Sequence, residues 1–163
     1  MGIDDLTKIH AVFAVSTSGT RIIAQYYDNM IKEDQRADFE NTIFQHGMED
    51  MVGEVLQHEK YIIVYRPIAD FLLFIVGDLK SNELILDGVL DTLSDSISLV
   101  FKGKVYSEDL TKQIDLLYLL FDETIEQGFV FESDPQIVAS RTMLKNDNAF
   151  AGKIYKKADI NNL

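Results

Sequence analysis

The stretch Phe71-Leu72-Leu73-Phe74-Ile75-Val76 is apolar at every position. Successive side chains of a β-strand point to opposite faces of the sheet, so both faces of such a strand must be covered by other elements. With six residues, the stretch is far shorter than the ~20 that span a bilayer as a helix. It therefore predicts a strand inside a sheet that is sandwiched between helices.

Four more strand-like segments precede this stretch. The first two flank the turn Ser16-Thr17-Ser18-Gly19-Thr20 and predict a hairpin, because Ser and Thr bond local backbone and Gly19 tolerates a positive φ. The third and fourth lie just before the apolar stretch. The four segments are residues 8–16, 21–27, 55–56 and 61–65.

Two breaks between these segments have a local cause. Pro67 has no N–H to donate to a sheet, so the turn before the apolar stretch is predicted between Arg66 and Asp70. Asp34 is expected to cap a helix over residues 35–46, which separates the hairpin from the later strands.

After Gly77 the apolar period changes from that of a strand to that of a helix. Between Ser81 and Phe101 apolar residues recur at i, i+3, i+4 and i+7, which predicts an amphipathic helix. A second helix is predicted from Ser107 to just before Gly128, and a third starts at Asp134-Pro135 and ends near Leu144. The stripe expected to be buried in the second helix comprises Leu110, Ile114, Leu117, Tyr118, Phe121 and Ile125.

The order of these elements favours the α+β class with an antiparallel sheet. The sequence shows neither an internal repeat nor a linker, so residues 8–145 are predicted to form one domain. The polar segment 146–163 is predicted to be a flexible C-terminal tail.

Composition excludes several classes of function. The chain has 163 residues, a formal net charge of −12 and no cysteine. The negative charge repels nucleic-acid phosphates and anionic lipid, so neither is expected as a direct partner. Without cysteine there can be no disulfide, thiolate metal site or cysteine nucleophile. A cytoplasmic location fits this composition.

No group of residues predicts catalysis, a metal site or a cofactor. The imidazoles are limited to His10, His46 and His58, and His10 lies in an apolar strand where a structural role is favoured. The acidic row Asp87, Asp91 and Asp95 falls away from the apolar stripe of its helix, which is typical of a solvated face. The chain is therefore predicted not to be an enzyme.

Leucines beyond the two helical stripes are the feature that most needs an explanation. At 100° per residue, Leu116 and Leu119 point nearly opposite to the predicted stripe, Leu84 is opposite its own stripe, and Leu99 lies well off it. Either neighbouring helices cover these four side chains or a permanent partner protein does. We take the second alternative as the hypothesis and predict Leu84, Leu99, Leu116 and Leu119 as partner-binding residues.

Several short strings also occur in a set order along residues 8–145. Their order and spacing resemble the zeta subunits of coatomer, a family of longin-like small chains of vesicle coats. One departure lies in the first turn, where that family usually has Asp-Asn-Asp-Gly and this chain has Ser16-Thr17-Ser18-Gly19. The strings are Ala11–Val15, Gly19-x-Arg21, Ala24-Gln25-Tyr26-Tyr27-Asp28, Phe39-Glu40-Asn41-x-Ile43-Phe44, Ile63-Val64-Tyr65-Arg66, Asp70-Phe71, Asn82-Glu83-Leu84, Asp122-Glu123 and Gly128-Phe129-Val130-Phe131-Glu132-Ser133-Asp134-Pro135.

The resemblance implies a fold and a set of partners. The implied fold is longin-like, with a five-stranded antiparallel sheet between one helix and two to three C-terminal helices. The implied function is that of a non-catalytic coat subunit in Golgi-to-ER retrograde and intra-Golgi transport. Its partners would be the large gamma subunit of coatomer as an obligate heterodimer, the rest of coatomer and, indirectly, an Arf-family GTPase. The chain would then reach Golgi membranes and coated vesicles only through the complex.

Two alternatives share this fold. One is a sigma chain of a clathrin adaptor, in which a Leu-Val-Phe-Asn-Phe pattern helps to bind acidic dileucine signals. Here the corresponding residues are Leu110-Thr111-Lys112-Gln113-Ile114, which lack the aromatic side chains. The other is a longin module of a tethering complex or a SNARE, although residues 145–163 offer neither the heptads nor the anchor that a SNARE needs.

Overall fold

A five-stranded antiparallel sheet organises the molecule. The structure is a computed structural model that describes residues 7–52 and 54–161, with side chains described through Asn148. The strands are β1 (Ile9–Ser16), β2 (Arg21–Tyr26), β3 (Val55–His58), β4 (Tyr61–Ile68) and β5 (Phe71–Asp78). They lie side by side in the order β2-β1-β5-β4-β3, so β5 is central and β2 and β3 form the edges.

Helices cover both faces of this sheet. A short 3-10 helix (Glu33–Gln35) leads into the first α-helix, and a two-stranded hairpin separates the fourth from the fifth. The helices are α1 (Arg36–Glu49), α2 (Glu83–Phe101), α3 (Ser107–Lys112), α4 (Ile114–Thr124) and α5 (Pro135–Asn161), and the hairpin pairs β6 (Ile125–Glu126) with β7 (Phe129–Val130).

The side chains of β5 divide the interior into two cores. Phe71, Leu73 and Ile75 join a cluster with apolar residues of α2, α4 and α5. The alternate side chains Leu72, Phe74 and Val76 join a second cluster with residues of α1. All six are fully buried. The prediction of a strand covered on both faces is confirmed, as is the antiparallel sheet between one helix on one side and several C-terminal helices on the other.

Pro67 corrects one predicted boundary. The turn was expected between Arg66 and Asp70, but β4 continues through Pro67 to Ile68, and only Ala69 and Asp70 connect it to β5. Strand β3 pairs with β4 up to Val64, and beyond it the N–H of Tyr65 bonds the carbonyl of Glu54 just before β3. Because N–H directions alternate along a strand, an N–H at position 67 would also point toward the β3 side. No strand pairs there at that position, so a proline is tolerated.

The predicted helix over residues 107 to 127 is in fact two helices. Gln113, with φ −123° and ψ 46°, leaves the helical conformation and separates α3 from α4. Four members of the predicted stripe, Leu110, Leu117, Phe121 and Ile125, are nevertheless buried on the two sides of this break. Tyr118, also expected to be buried, is exposed.

The last helix starts where the sequence predicts and ends later. The Asp134 carboxylate accepts the N–H of Gln136 at 2.9 Å, as expected of a cap in front of Pro135. Helix α5 extends to Asn161 instead of ending near Leu144, and no proline after Pro135 forbids this. The flexible tail over 146–163 stays a prediction, and its last two residues lie outside the described ones.

A buried carboxylate ties α1 to the edge strand β2. Glu40 is buried, and its two oxygens accept Arg21 Nε at 2.7 Å and Arg21 Nη2 at 2.5 Å. The hydroxyl of Tyr26 donates to the same carboxylate at 2.6 Å, and burial together with this bond raises the pKa of Tyr26. Three polar groups are thus satisfied by one another at the sheet–helix boundary.

Asp70 joins three loops at one end of the sheet. Its carboxylate accepts both the N–H and the hydroxyl of Ser107, at 2.7 and 2.6 Å, and its carbonyl accepts the N–H of Thr17 at 2.8 Å. The hydrogen bonds from Ser107 hold the pKa of Asp70 below its ordinary value of 3.8.

This lowered pKa predicts a pH dependence of stability. The ionised form of Asp70 is favoured by folding, so its contribution is present above pH 4 and is lost as the pH falls through the folded-state pKa. We expect Asp70→Asn to be less stable than wild type at pH 7 and to lose less stability on acidification. Urea midpoints between pH 6 and pH 2.5 measure both quantities, and parallel curves for the two proteins would contradict the assignment.

Candidate partner-binding surface

The four predicted leucines occupy three different environments. Leu84 is 80% exposed and Leu99 is 49% exposed, both on the outer face of α2. Leu119 on α4 is half-buried. Leu116 is only 5% exposed and belongs to the larger core. The expected exposure is therefore present at Leu84 and Leu99 and absent at Leu116.

The burial of Leu116 results from packing between helices, which the sequence of α4 alone does not show. Helix α4 packs against both α2 and α5, so it needs a wider apolar face than a helix with one neighbour. Val138 of α5 lies in the same core cluster as Leu116. The prediction that Leu116 is a partner contact is therefore corrected: its side chain lies in the core of the chain itself.

Leu84 and Leu99 lie on one face but far apart. They are fifteen residues apart in α2, which at 1.5 Å per residue separates them by about 22 Å. The exposed carboxylates of Asp91 and Asp95 lie between them on that face. The two leucines therefore do not form one continuous apolar patch.

A groove opens beside α2 at the Leu84 end. It has a volume of about 390 Å³ and is bounded by α2 on one side and by the β7–α5 connection on the other. Thr92 Oγ1 donates to the carbonyl of Ser133 at 2.9 Å, which fixes this connection against α2. The groove is lined by Ile85, Gly88, Val89, Asp91, Thr92, Asp95, Val130, Ser133 and Pro135.

The rim of this groove is apolar and exposed. Ile85 and Val130 are both exposed, and Leu84 stands next to Ile85 in the chain. Gly88 also lies on the exposed face of α2, and a Cβ added there would meet nothing within 4 Å. We call Leu84, Ile85, Gly88 and Val130 the α2–β7 surface. Sequence reasoning found Leu84 but missed the other three, and Val130 could not be placed beside α2 from the sequence because β7 reaches α2 only through the tertiary fold.

The charges next to this surface are mostly acidic. Arg66 of β4 contacts Asp91 at 2.5 Å and Asp87 at 3.7 Å, so one cation faces two carboxylates. These side chains are at least partly exposed, and such pairs contribute little to stability. An approaching partner therefore meets apolar side chains bordered by negative charge.

The buried imidazole of His10 lies between two carboxylates. Its two ring nitrogens bond Asp28 at 2.5 Å and Asp78 at 2.6 Å, which is consistent with the structural role that the sequence favours. Within residues 7–52 and 54–148, no group of three or more His, Asp or Glu side chains is arranged so that it could hold a metal ion. Among the helices that the structure describes, none is both long and apolar enough to cross a bilayer.

Comparison with known proteins assigns the family. The family model described as "Clathrin adaptor complex small chain" matches residues 8–149. The chain belongs to this family. A similar relative is "Coatomer subunit zeta-1" of Homo sapiens, 32% identical over 146 residues that cover 88% of this chain and 81% of the relative. "Coatomer subunit zeta-2" of Mus musculus is also 32% identical, over 88% of this chain and 70% of the relative.

The chain is also similar in sequence to a plant protein and in fold to a chain of an adaptor complex. "Coatomer subunit zeta-1" of Arabidopsis thaliana is 30% identical over 82% of this chain and 78% of its own length. A chain in the structure "Homology model of the full-length AP-3 complex in a stretched open conformation" superposes with a TM-score of 0.72 at 16% identity, covering 90% of this chain and 98% of that one. At this low identity the superposition shows the fold, which is the one that the resemblance to longin-like small chains implies.

Proposed function

We propose that the protein is the zeta-type small subunit of a COPI vesicle coat and pairs with a large coat subunit of the gamma type. The observation that carries this proposal is the similarity to coatomer zeta subunits over most of both chains. In this role the protein contributes no chemistry: it stabilises its partner and acts in Golgi-to-ER retrograde and intra-Golgi transport. It is cytoplasmic and reaches Golgi membranes and coated vesicles as part of coatomer, which an Arf-family GTPase recruits.

The exposed leucines of α2 support the pairing. A protein interface of standard size buries ~800 Å² on each partner, which corresponds to a patch about 30 Å across. One large partner can therefore cover both Leu84 and Leu99, although they do not touch each other. The open space above Gly88 lets a partner approach the helix backbone closely.

A sigma-type role in a clathrin adaptor is the second candidate. The description of the family favours it. Selective pairing with the large chain of an adaptor in preference to coatomer gamma, when both are offered at equal concentration, would support this candidate over the first.

Leu84→Asp is expected to weaken the complex with the helical trunk of a coatomer gamma subunit at least tenfold. The substitution places a charge in an apolar contact next to existing carboxylates, and central apolar contacts dominate the affinity of interfaces. Titration calorimetry on the purified chains measures the change. Leu99→Asp, measured separately, tests the other end of α2 and is expected to weaken the complex as well.

Leu144→Asp is the matched control for these variants. Leu144 is also an exposed leucine, but it lies on α5 and lines a different groove. We expect it to leave the affinity for the gamma trunk unchanged. Equal losses in all three variants would reject α2 as the docking face, and absence of any complex at micromolar concentrations of folded wild-type chains would reject the pairing itself.

A further inference from the structure

A cavity larger than the groove beside α2 lies at the free edge of the sheet, where Gln25 and Tyr26 of β2 line it. Its volume is about 850 Å³, and its walls come from the end of β2, the end of α4, the β6–β7 hairpin and α5. This volume falls within the range of pockets that enclose small ligands or short segments of chain. We call it the β2-edge groove.

The backbone of β2 offers unpaired groups to this groove. Tyr27 donates its N–H to the carbonyl of His10, so residue 27 faces β1. Since N–H and C=O directions alternate along an antiparallel strand, those of Tyr26 point away from β1. β2 is an edge strand, and among the described residues nothing pairs with this side of Tyr26. An extended segment can add main-chain hydrogen bonds at such an edge.

Apolar side chains flank the groove. Phe131 is 58% exposed and Leu144 is 61% exposed, and both line it. The hydroxyl of Tyr27 is buried in the same wall without a hydrogen-bond partner among the described groups. A buried polar group without a partner is costly, and this cost lies in the wall of the groove.

The charges in the groove are unbalanced. Arg141 contacts Glu132 at 3.4 Å, and Lys145 contacts Glu123, so both cations that line the groove already have partners. Asp122 and Glu126 line it too, and no cationic side chain within residues 7–148 lies within 4 Å of either. Partial burial raises the pKa of Asp122, with Glu123 adding to the rise and Lys145 opposing it. A cation brought into the groove would therefore meet two carboxylates that have no ion-pair partner among the described residues.

We propose that the β2-edge groove binds an extended peptide segment of a partner protein that carries a lysine or arginine between apolar residues. The segment pairs with the outer edge of β2 at Tyr26, and its cationic side chain reaches Asp122 and Glu126. Its apolar side chains on the same face pack on Phe131 and Leu144. This site is separate from the pairing with a large coat subunit and does not depend on it.

The test uses the full chain and two fluorescein-labelled heptapeptides, GLVKVLG and GLVEVLG, with blocked ends. In either peptide the central residue and the two leucines share one face of a strand. We expect GLVKVLG to bind at least tenfold more tightly than GLVEVLG in fluorescence polarisation, with an affinity that falls as salt increases. Equal affinities, or no binding of GLVKVLG to the folded chain at 1 mM, would overturn the proposal.

Substitutions locate the peptide in this groove. Asp122→Asn with Glu126→Gln should weaken GLVKVLG at least tenfold and remove the preference over GLVEVLG. Glu33→Gln with Asp34→Asn makes the same charge change on exposed residues of the 3-10 helix and should leave binding unchanged. Similar losses in both double variants would mean that net charge alone attracts the peptide.

Amide chemical shifts give a readout that needs no variant. On addition of GLVKVLG to the wild-type chain, the shifts of residues 25–27, 122–127 and 141–145 should change most. Changes centred on α2 would contradict the site even if the peptide binds. Leu84→Asp, which is designed to disrupt pairing with a large subunit, should leave these changes intact, so failure of one proposal can be told from failure of the other.

Discussion

Leu116→Asp is expected to unfold the domain. Removing a buried leucine side chain costs about 2–5 kcal/mol, and an unpaired carboxylate in the same apolar site adds several kcal/mol more. Leu116 is 5% exposed and packs among the apolar residues of α2, α4 and α5. The sum approaches or exceeds the ~5–15 kcal/mol by which a typical domain is stable.

Circular dichroism at 222 nm with urea titration measures this loss. Leu84→Asp is the matched control, because it makes the same chemical change at a leucine that is 80% exposed and should alter the free energy of unfolding by less than about 0.5 kcal/mol. Leu116→Ala should stay folded but lose about 2–5 kcal/mol. A native spectrum and melting temperature for Leu116→Asp would show that Leu116 faces outwards and would restore it as a partner contact.

Gly128→Ala is expected to cost roughly 2–4 kcal/mol in the free energy of unfolding. Gly128 has a φ of +89°, a conformation in which an L side chain is strained. An added Cβ would also lie 2.7 Å from the carbonyl oxygen of Ile9, whose N–H bonds the carbonyl of Gly128 at 2.7 Å. The clash is with backbone, so β1 and the β6–β7 hairpin must move apart.

Gly88→Ala, the same substitution at another glycine, is expected to raise the free energy of unfolding. A Cβ at Gly88 meets nothing within 4 Å, and alanine is favoured over glycine inside a helix by about 0.5–1 kcal/mol. We therefore expect Gly88→Ala to raise the urea midpoint and Gly128→Ala to lower it. Equal effects of the two changes would contradict the close contact between the hairpin and β1.

Local sequence was sufficient wherever one element or one turn decides the outcome. Phe71–Val76 is apolar on both faces, and only a covered central strand satisfies that pattern, so β5 and the layered architecture could be predicted. The start of α5 at Pro135 and the stripe of α2 follow from capping chemistry and helical period. Leu84 lies opposite that stripe, and its exposure could be predicted in the same way.

Only the tertiary structure decided whether side chains outside the apolar face of a helix are buried. The period of a helix tells which side is apolar, but whether a residue off that side is covered depends on elements distant in the chain. Leu116 is buried because α4 packs against both α2 and α5, so its apolar face is wider than one stripe. The carboxylate of Glu40, which bonds Arg21 and Tyr26, and the β2-edge groove both join residues from separate elements. Their positions arise only when the sheet and helices come together, since contacts between side chains far apart in sequence leave no periodic signal in it.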